Sequence, residues 1–343
     1  LARYKERFSP YIIISTPDYK TIQQIHPKEK FALTAADAGA NIPTTWQPQQ
    51  KEQIKEIAAN NSFPLLIKPY DSSGGRGIMK VNTLEELLVA FDENIKLFGG
   101  PPLVQEVVKG EDYCLTAILD KGKLVTAMAY KNLTLFPSDS GSGVMRETID
   151  ASPFVPDARK LLEKIEWNGV AQIDFMWSGK QEDSPYMIEV NPRFWAGLFQ
   201  SVESGIDYPW LLYELFAHGK VPESPQPKVG TTTKMPFAWL FSSLRESIDL
   251  DKSLEELDDT KEKMGKLLSK RGGLLVAFRL LFRHLNTSIS SPFDIQALRK
   301  KIAIGREAES EIFYNEDPEA ALGVIYVLFY IAKYKQFPPE FGV

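Results

Sequence analysis

The sequence predicts an α+β fold with mixed sheets, and three observations predict it. Three strand-like runs, Leu103–Val108, Tyr113–Leu119 and Lys123–Tyr130, follow one another with no helical stretch between them, and Asp120-Lys121-Gly122 joins the last two as a hairpin. A second strand pair, Val170–Trp177 and Tyr186–Val190, comes after an intervening helix. Beyond the Pro-rich stretch Pro222–Lys228, which reads as a linker, the pattern is mostly helical.

The elements follow in order. Tyr11–Ser15 (YIIIS) is apolar and β-branched and ends at Thr16-Pro17, which predicts a buried strand closed by a turn. Phe31, Leu33, Ala35, Ala36 and Ala38 predict a helix from Lys28 to Ala40, ended by Gly39 and Pro43. Gln50–Asn60 reads as a helix. Leu65–Lys68 reads as a short strand stopped by Pro69, and Ile78–Val81 as its return. Thr83 is an N-cap for Leu84–Leu97, and Glu86 completes a capping box. Lys131–Asp150 reads as loop. Pro156–Trp167 is a helix with Pro in its first turn, and Asp207–His218 is a helix ended by Gly219.

Composition narrows the function. The chain has 343 residues, room for roughly two domains. Its net charge of −5 argues against an overall electrostatic grip on nucleic acid. One cysteine, Cys114, cannot form an internal disulfide, and three scattered histidines make a His-rich metal site a poor reading. No apolar run reaches the ~18 residues of a membrane span. These features predict a reducing, cytoplasmic compartment. The chain starts at Leu1, so a piece of a longer protein is expected.

Five features lie in one order. Lys68 ends a strand just before the loop Ser72-Ser73-Gly74-Gly75-Arg76-Gly77. The segment Gln105–Tyr113 follows. Asp174 lies inside a strand, and Glu189-Val190-Asn191-Pro192-Arg193 ends another. Residues i and i+2 of a strand share a face, so Glu189 and Asn191 present two oxygen ligands side by side, and Asp174 on a neighbouring strand can add a third. Hard oxygens suit Mg²⁺. Arg193 beside them suits a phosphate, and lysines with a Gly-rich loop offer positive charge and close backbone N–H groups. Each feature alone has a bland reading as a surface turn, a strand-end lysine or a Pro turn. Their joint order argues for nucleotide binding.

In this order, and above all in GVAQIDFMW and MIEVNPR, the sequence resembles the ATP-grasp superfamily, as in biotin carboxylase and carbamoyl phosphate synthetase. The resemblance covers about 28–220. SGSGVMRETID and NPRFWAG…SGIDYPWLLYELFAHG resemble its carboxylate–amine ligase-like branch. It implies two α/β lobes clasping ATP, with the nucleotide lobe at about 62–130. It also implies a remnant of a preceding α/β domain over 1–27 and a helical extension over 229–343. By resemblance, Lys30 and Lys68 contact the nucleotide's phosphates. Ser73, Gly74, Gly75 and Gly77 fold over the phosphates, and Glu106, Val107 and Val108 form the adenine hinge. Asp112, with Glu111 as rival, holds the ribose. Asp174, Glu189 and Asn191 hold Mg²⁺, which Mn²⁺ can replace. Arg193 acts on the transferred phosphoryl group and Arg146 on the acyl group. The implied reaction joins a small carboxylic acid to an amine through an acyl phosphate. The rivals are an enzyme of the same superfamily acting on bicarbonate, and a non-catalytic nucleotide-binding partner.

Lys261–Arg306 holds 11 Lys/Arg against 2 Asp/Glu, and within it GGLLVAFRLLFRHL is basic and amphipathic. A helix packed on the core with a solvated basic edge is preferred here over a membrane-surface helix. The expected partners are small-molecule substrates, with a homodimer allowed. Cys114, flanked by strand residues, reads as core packing.

Overall fold

The computed structural model describes residues 1–26, 28–70, 77–136, 141–222, 226–247, 295–312 and 322–334. It divides into two compact units: Leu1–Leu133 with Arg146–Thr232, and Thr134–Met145 with Thr233–Val343.

Short helices α1 (Lys5–Phe8) and α2 (Tyr19–Ile22) open the first unit, and α3 (Lys28–Asp37) follows. Tyr11–Ser15 forms no strand. Ile14 is buried, but Tyr11, Ile12 and Ile13 are exposed. A β-branched run becomes a strand only where another strand takes up its backbone hydrogen bonds, and none among the described residues does so.

The first sheet holds β1 (Thr45–Trp46), β2 (Leu65–Lys68), β3 (Met79–Val81) and β4 (Leu103–Glu106) in the order β1-β4-β2-β3, all antiparallel. Helices α4 (Lys51–Asn60) and α5 (Leu84–Phe98) supply its core partners. Ile54, Ile57, Leu87, Ala90 and Phe91 bury against Leu65, Ile67, Val81 and Val104. Only half of the expected capping box forms: Thr83 Oγ1 accepts from Glu86 N at 3.1 Å, but Glu86 Oε2 accepts from Asn82 N at 2.7 Å, one residue before the N-cap, and not from Thr83 N. Gly99, at φ +78°, ends α5 in the left-handed region that only glycine adopts freely.

To this unit the second sheet contributes β5 (Glu111–Asp120), most of β6 (Lys123–Phe136), the second half of β7 (Ser142–Ile149), β8 (Gly169–Trp177) and β9 (Tyr186–Asn191), in the order β7-β6-β5-β8-β9. The stretch expected as loop over Lys131–Asp150 contains the end of β6 and all of β7. The sequence there carries Ser140-Gly141-Ser142-Gly143, which reads as loop. The sheet nonetheless buries Arg146 and Thr148, and Thr148 Oγ1 accepts from Gln200 Nε2 at 2.7 Å.

Alternation along β5 and β8 gives the sheet two different faces. On one, Tyr113, Leu115, Ala117, Ala171, Ile173 and Phe175 pack with α3 and with α6 (Val155–Lys164) through Phe31, Ala35, Ala158 and Leu161. Part of the other face packs against α8 (Tyr208–His218), through Tyr208, Leu211, Leu212 and Leu215. A short α7 (Leu198–Glu203) precedes α8. The remainder of that face is polar. The β8–β9 ladder has one irregularity: Asp174 pairs with Glu189 and Phe175 with Met187, so Ile188 is an extra residue on β9.

In the second unit, β10 (Thr232–Lys234) runs parallel to β11 (Glu309–Ser310), a pairing the sequence did not announce. Helices α9 (Pro236–Ser247), α10 (Ile295–Glu307) and α11 (Leu322–Tyr334) match the helical pattern. Lys234 Nζ donates to Gly305 O and Ala308 O, placing its charge at the C-terminal end of α10. The segment GGLLVAFRLLFRHL lies outside the described residues, and so does part of the proposed linker. Among the described residues no helix is long and apolar enough to cross a membrane.

Candidate functional site

The polar part of the second sheet is assembled by strand register. Asp174 is paired with Cys114 of β5 on one side and with Glu189 of β9 on the other, so all three side chains rise from one face. Asp112 and Gln172 join them two residues away on their own strands. Asn191, opposite Gln172, completes the set. Cys114 Sγ donates to Asp174 Oδ1 at 3.1 Å, Gln172 Nε2 donates to the same oxygen, and Asn191 Nδ2 donates to Asp174 Oδ2 at 3.1 Å. Both oxygens of Asp174 therefore already have donors. Burial, then the charges of Asp112 and Glu189, push its carboxyl up to about 7. Burial also raises Asp112, partly offset by the hydrogen bond it accepts from Asn132 Nδ2.

Strand alternation separates the two ribose candidates. Asp112 shares the face of Asp174. Glu111 lies on the opposite face, with Oε2 2.6 Å from Lys131 Nζ.

Lys68, at the end of β2, is buried. Its Nζ donates to Gln105 Oε1 at 2.6 Å, and Gln105 Nε2 donates to Thr45 Oγ1 at 2.8 Å. Burial, then the nearby Lys28 charge, lowers its ammonium to about 8, against an opposing pull from Glu189. The two sheets thus bring Lys68 and Glu189 into one electrostatic neighbourhood.

Lys28, not Lys30, reaches that neighbourhood: its Nζ lies 3.4 Å from Glu189 Oε2. The reason is helical geometry. The buried residues of α3 are Phe31, Ala32 and Ala35, and position 28 shares their face at i+3, i+4 and i+7. Position 30 does not. Lys30 is exposed and lines a surface depression with Lys20, Gln23, Gln24, Leu33 and Thr34. The periodicity already visible in the sequence carries this distinction, which the family resemblance that pointed to Lys30 does not.

The segment after β4 is tied down at its start. Glu106 N donates to Thr44 O at 3.0 Å, and Glu106 Oε1 accepts from Thr44 N at 2.7 Å and from Thr44 Oγ1 at 3.1 Å. Its carboxylate is thus used within the protein. Val107 and Val108 are half-buried. Gly110 lies so close to Trp177 that a Cβ there would sit 2.6 Å from backbone atoms, which fixes this segment against the end of β8. Gly77 is at φ +77° between Pro69 and Phe98. Ser73, Gly74 and Gly75 lie outside the described residues.

Arg193 is exposed; Nη2 donates to Asn191 Oδ1 at 3.2 Å and Nη1 to Phe194 O at 3.1 Å. Arg146 is 1% exposed, acts electrostatically on Tyr130 and lies against Gly197, where a Cβ would meet its Nε at 2.7 Å. Sequence reasoning did not name Lys28, Gln172 or Asn132 for the site and read Cys114 as packing alone. Gln172 was findable as the i−2 neighbour of Asp174. Nothing local marks Asn132, which faces Asp112 only through the pairing of β5 with β6.

The donor set is oxygen-rich and anionic beside two ammonium groups. Among the described residues no cluster of three or more His, Cys, Asp or Glu side chains is placed to hold a metal alone. A Mg²⁺ here would take Glu189, Asn191 and Asp174 and complete its shell with ligand and water oxygens, the usual arrangement for this ion.

A model of the ATP-grasp domain family matches residues 26–197. The carbamoyl phosphate synthase large chain of a Thermoanaerobacter species is 25% identical over 276 residues, covering 76% of this chain and 25% of that protein. The chain therefore spans about a quarter of the length of the curated relatives it matches. Two solved structures share the fold. One is the biotin carboxylase domain dimer of Hydrogenobacter thermophilus 2-oxoglutarate carboxylase with MgADP, ADP and bicarbonate (TM-score 0.56, 19% identity, 67% of this chain and 53% of that one). The other is N5-carboxyaminoimidazole synthetase of Staphylococcus aureus with ADP (TM-score 0.56, 15% identity, 72% and 65%).

Proposed function

Because the chain belongs to the ATP-grasp family, we propose that it is an ATP- and Mg²⁺-dependent ligase that activates a small carboxylic acid as an acyl phosphate and joins it to an amine. One observation carries this reading: Asp174 and Glu189 directly opposed on adjacent strands, with Asn191 beside them and Lys28 and Lys68 next to Glu189.

In this reading Lys68 and Lys28 neutralise the nucleotide's phosphates, and Lys28 replaces Lys30 in that role. The main chain of Glu106–Val108 receives the adenine, and Asp112 the ribose. Ser73, Gly74, Gly75 and Gly77 supply N–H groups over the phosphates. Glu189, Asn191 and Asp174 hold Mg²⁺ or Mn²⁺, which when bound supplies positive charge to the phosphate oxygens. Arg193 leaves Asn191 to bind the phosphoryl group in transfer, and Arg146 holds the acid. A carboxylate oxygen is a poor leaving group; phosphate is a good one, so an amine can then displace it at the carbonyl carbon. The protein's contribution is positioning and charge neutralisation.

The test is ADP release measured across pooled carboxylic acids, with and without pooled amines and with bicarbonate as a separate arm. Amine-dependent release with a particular acid supports the ligase. Release driven by bicarbonate alone moves the function to carbamate-type chemistry, in line with the carbamoyl phosphate synthase relatives. AMP in place of ADP contradicts the scheme.

A further inference from the structure

Resting on the site reading above, we propose that Lys28 occupies Glu189 in the nucleotide-free protein, so the divalent metal gains full access to this carboxylate only when a nucleotide's phosphates draw Lys28 away.

The geometry supplies each part. Lys28 Nζ is 3.4 Å from Glu189 Oε2, and both side chains are partly shielded, at 16% and 34% exposure. Lys28 is the only described cation in salt-bridge contact with Glu189. Asp174 offers no ready substitute, because Cys114, Gln172 and Asn191 already donate to its two oxygens. A metal arriving alone must therefore displace an ammonium from Glu189 while Lys68, anchored to Gln105, remains nearby. Both ammonium groups repel it. A polyphosphate changes that balance. It offers both lysines a stronger partner than one carboxylate, and it brings oxygens of its own to the metal. Lys28 moves from carboxylate to phosphate, and Glu189 is released to the metal. Metal and nucleotide are then coupled positively, and by linkage each strengthens the other by the same factor.

The experiment measures binding. Free Mn²⁺ is read by electron paramagnetic resonance and ADP by calorimetry, each alone and in the presence of the other, on wild type, Lys28→Gln and Lys28→Arg. Wild type is expected to show coupling within the usual range of about 5–150-fold. Lys28→Gln should bind Mn²⁺ alone about three- to fivefold tighter, the worth of a partly exposed ion pair. It should bind ADP alone more weakly, with the coupling factor falling towards one. Lys28→Arg keeps the cation and should retain the coupling, which separates this effect from a folding defect. Mn²⁺ affinity that is unchanged or weaker in Lys28→Gln overturns the proposal while leaving the site reading in place. Failure of wild type to bind either ADP or Mn²⁺ overturns the site reading, and this proposal with it.

Discussion

Neighbouring residues on β5 and β8 live in opposite chemistries. Tyr113, Leu115, Ile173 and Phe175 face an apolar layer closed by α3 and α6. Asp112, Cys114, Gln172 and Asp174, each one residue away, face the polar cluster, where each has a hydrogen-bond partner. The first face is stabilised by area removed from water, at roughly 25 cal/mol per Å². The second gains little from burial, because a buried polar group costs about 1–3 kcal/mol if its partner is lost. Two consecutive residues in one strand thus answer to different demands. Substitutions on the first face should move stability and spare binding, and isosteric changes of charge on the partly exposed edge of the second, as at Glu189, should do the reverse.

The largest expected effect tests the apolar face. Phe175→Ala should cost about 3–5 kcal/mol in urea unfolding, while the folded fraction keeps its ADP affinity. Parallel losses in both would mean that the faces are not independent. Next, Glu189→Gln should lower turnover by about 10²–10³-fold, with the melting temperature within about 2 °C of wild type. Near-normal turnover would remove Glu189 from the site.

The third prediction uses pH. The Lys68 ammonium is lowered to about 8 from 10.5. Between these values the unfolded chain holds a proton that the folded chain does not, so this group makes folding more favourable as pH rises from 8 to 10.5. ADP affinity should move the other way, falling by up to about tenfold per pH unit above 8 as the charge is lost. Lys68→Arg should flatten the affinity profile. Affinity and stability changing together would contradict the assignment. The smallest effect lies on neither face: Thr83→Ala should cost about 1 kcal/mol of stability through the lost cap of α5 and leave nucleotide binding untouched.

Most strands and helices were legible because their signals are local. Leu65–Lys68 was read at its observed bounds, and the cap at Thr83 was read from two side chains three residues apart. What escaped depends on distant partners. Tyr11–Ser15 has strand composition but, among the described residues, no strand beside it. Ser142–Ile149 has loop composition but gains a place in a sheet that buries its arginine. Thr233 pairs with Glu309 across more than seventy residues, and nothing near either announces it. The site followed the same rule. Asp174, Glu189 and Asn191 were brought together as the strand period required. The lysine beside them is Lys28, two positions before Lys30, because the helical period decides which side chain of α3 reaches Glu189 and the resemblance carries no helical phase.

The extra residue Ile188 has a consequence for length changes rather than for substitutions. On either side of it the ladder keeps its phase: Met187 and Val190 both reach the apolar core, while Glu189 and Asn191 both reach the polar face. Removing Ile188 would leave Met187 and Val190 two positions apart, and Glu189 and Asn191 likewise, so every side chain would stay on its present side. Only the local twist beside Asp174 would go. A deletion variant of this kind should therefore fold with an intact core yet aim its carboxylate differently. Few single edits to a chain separate the backbone's path from the direction of one functional group so cleanly.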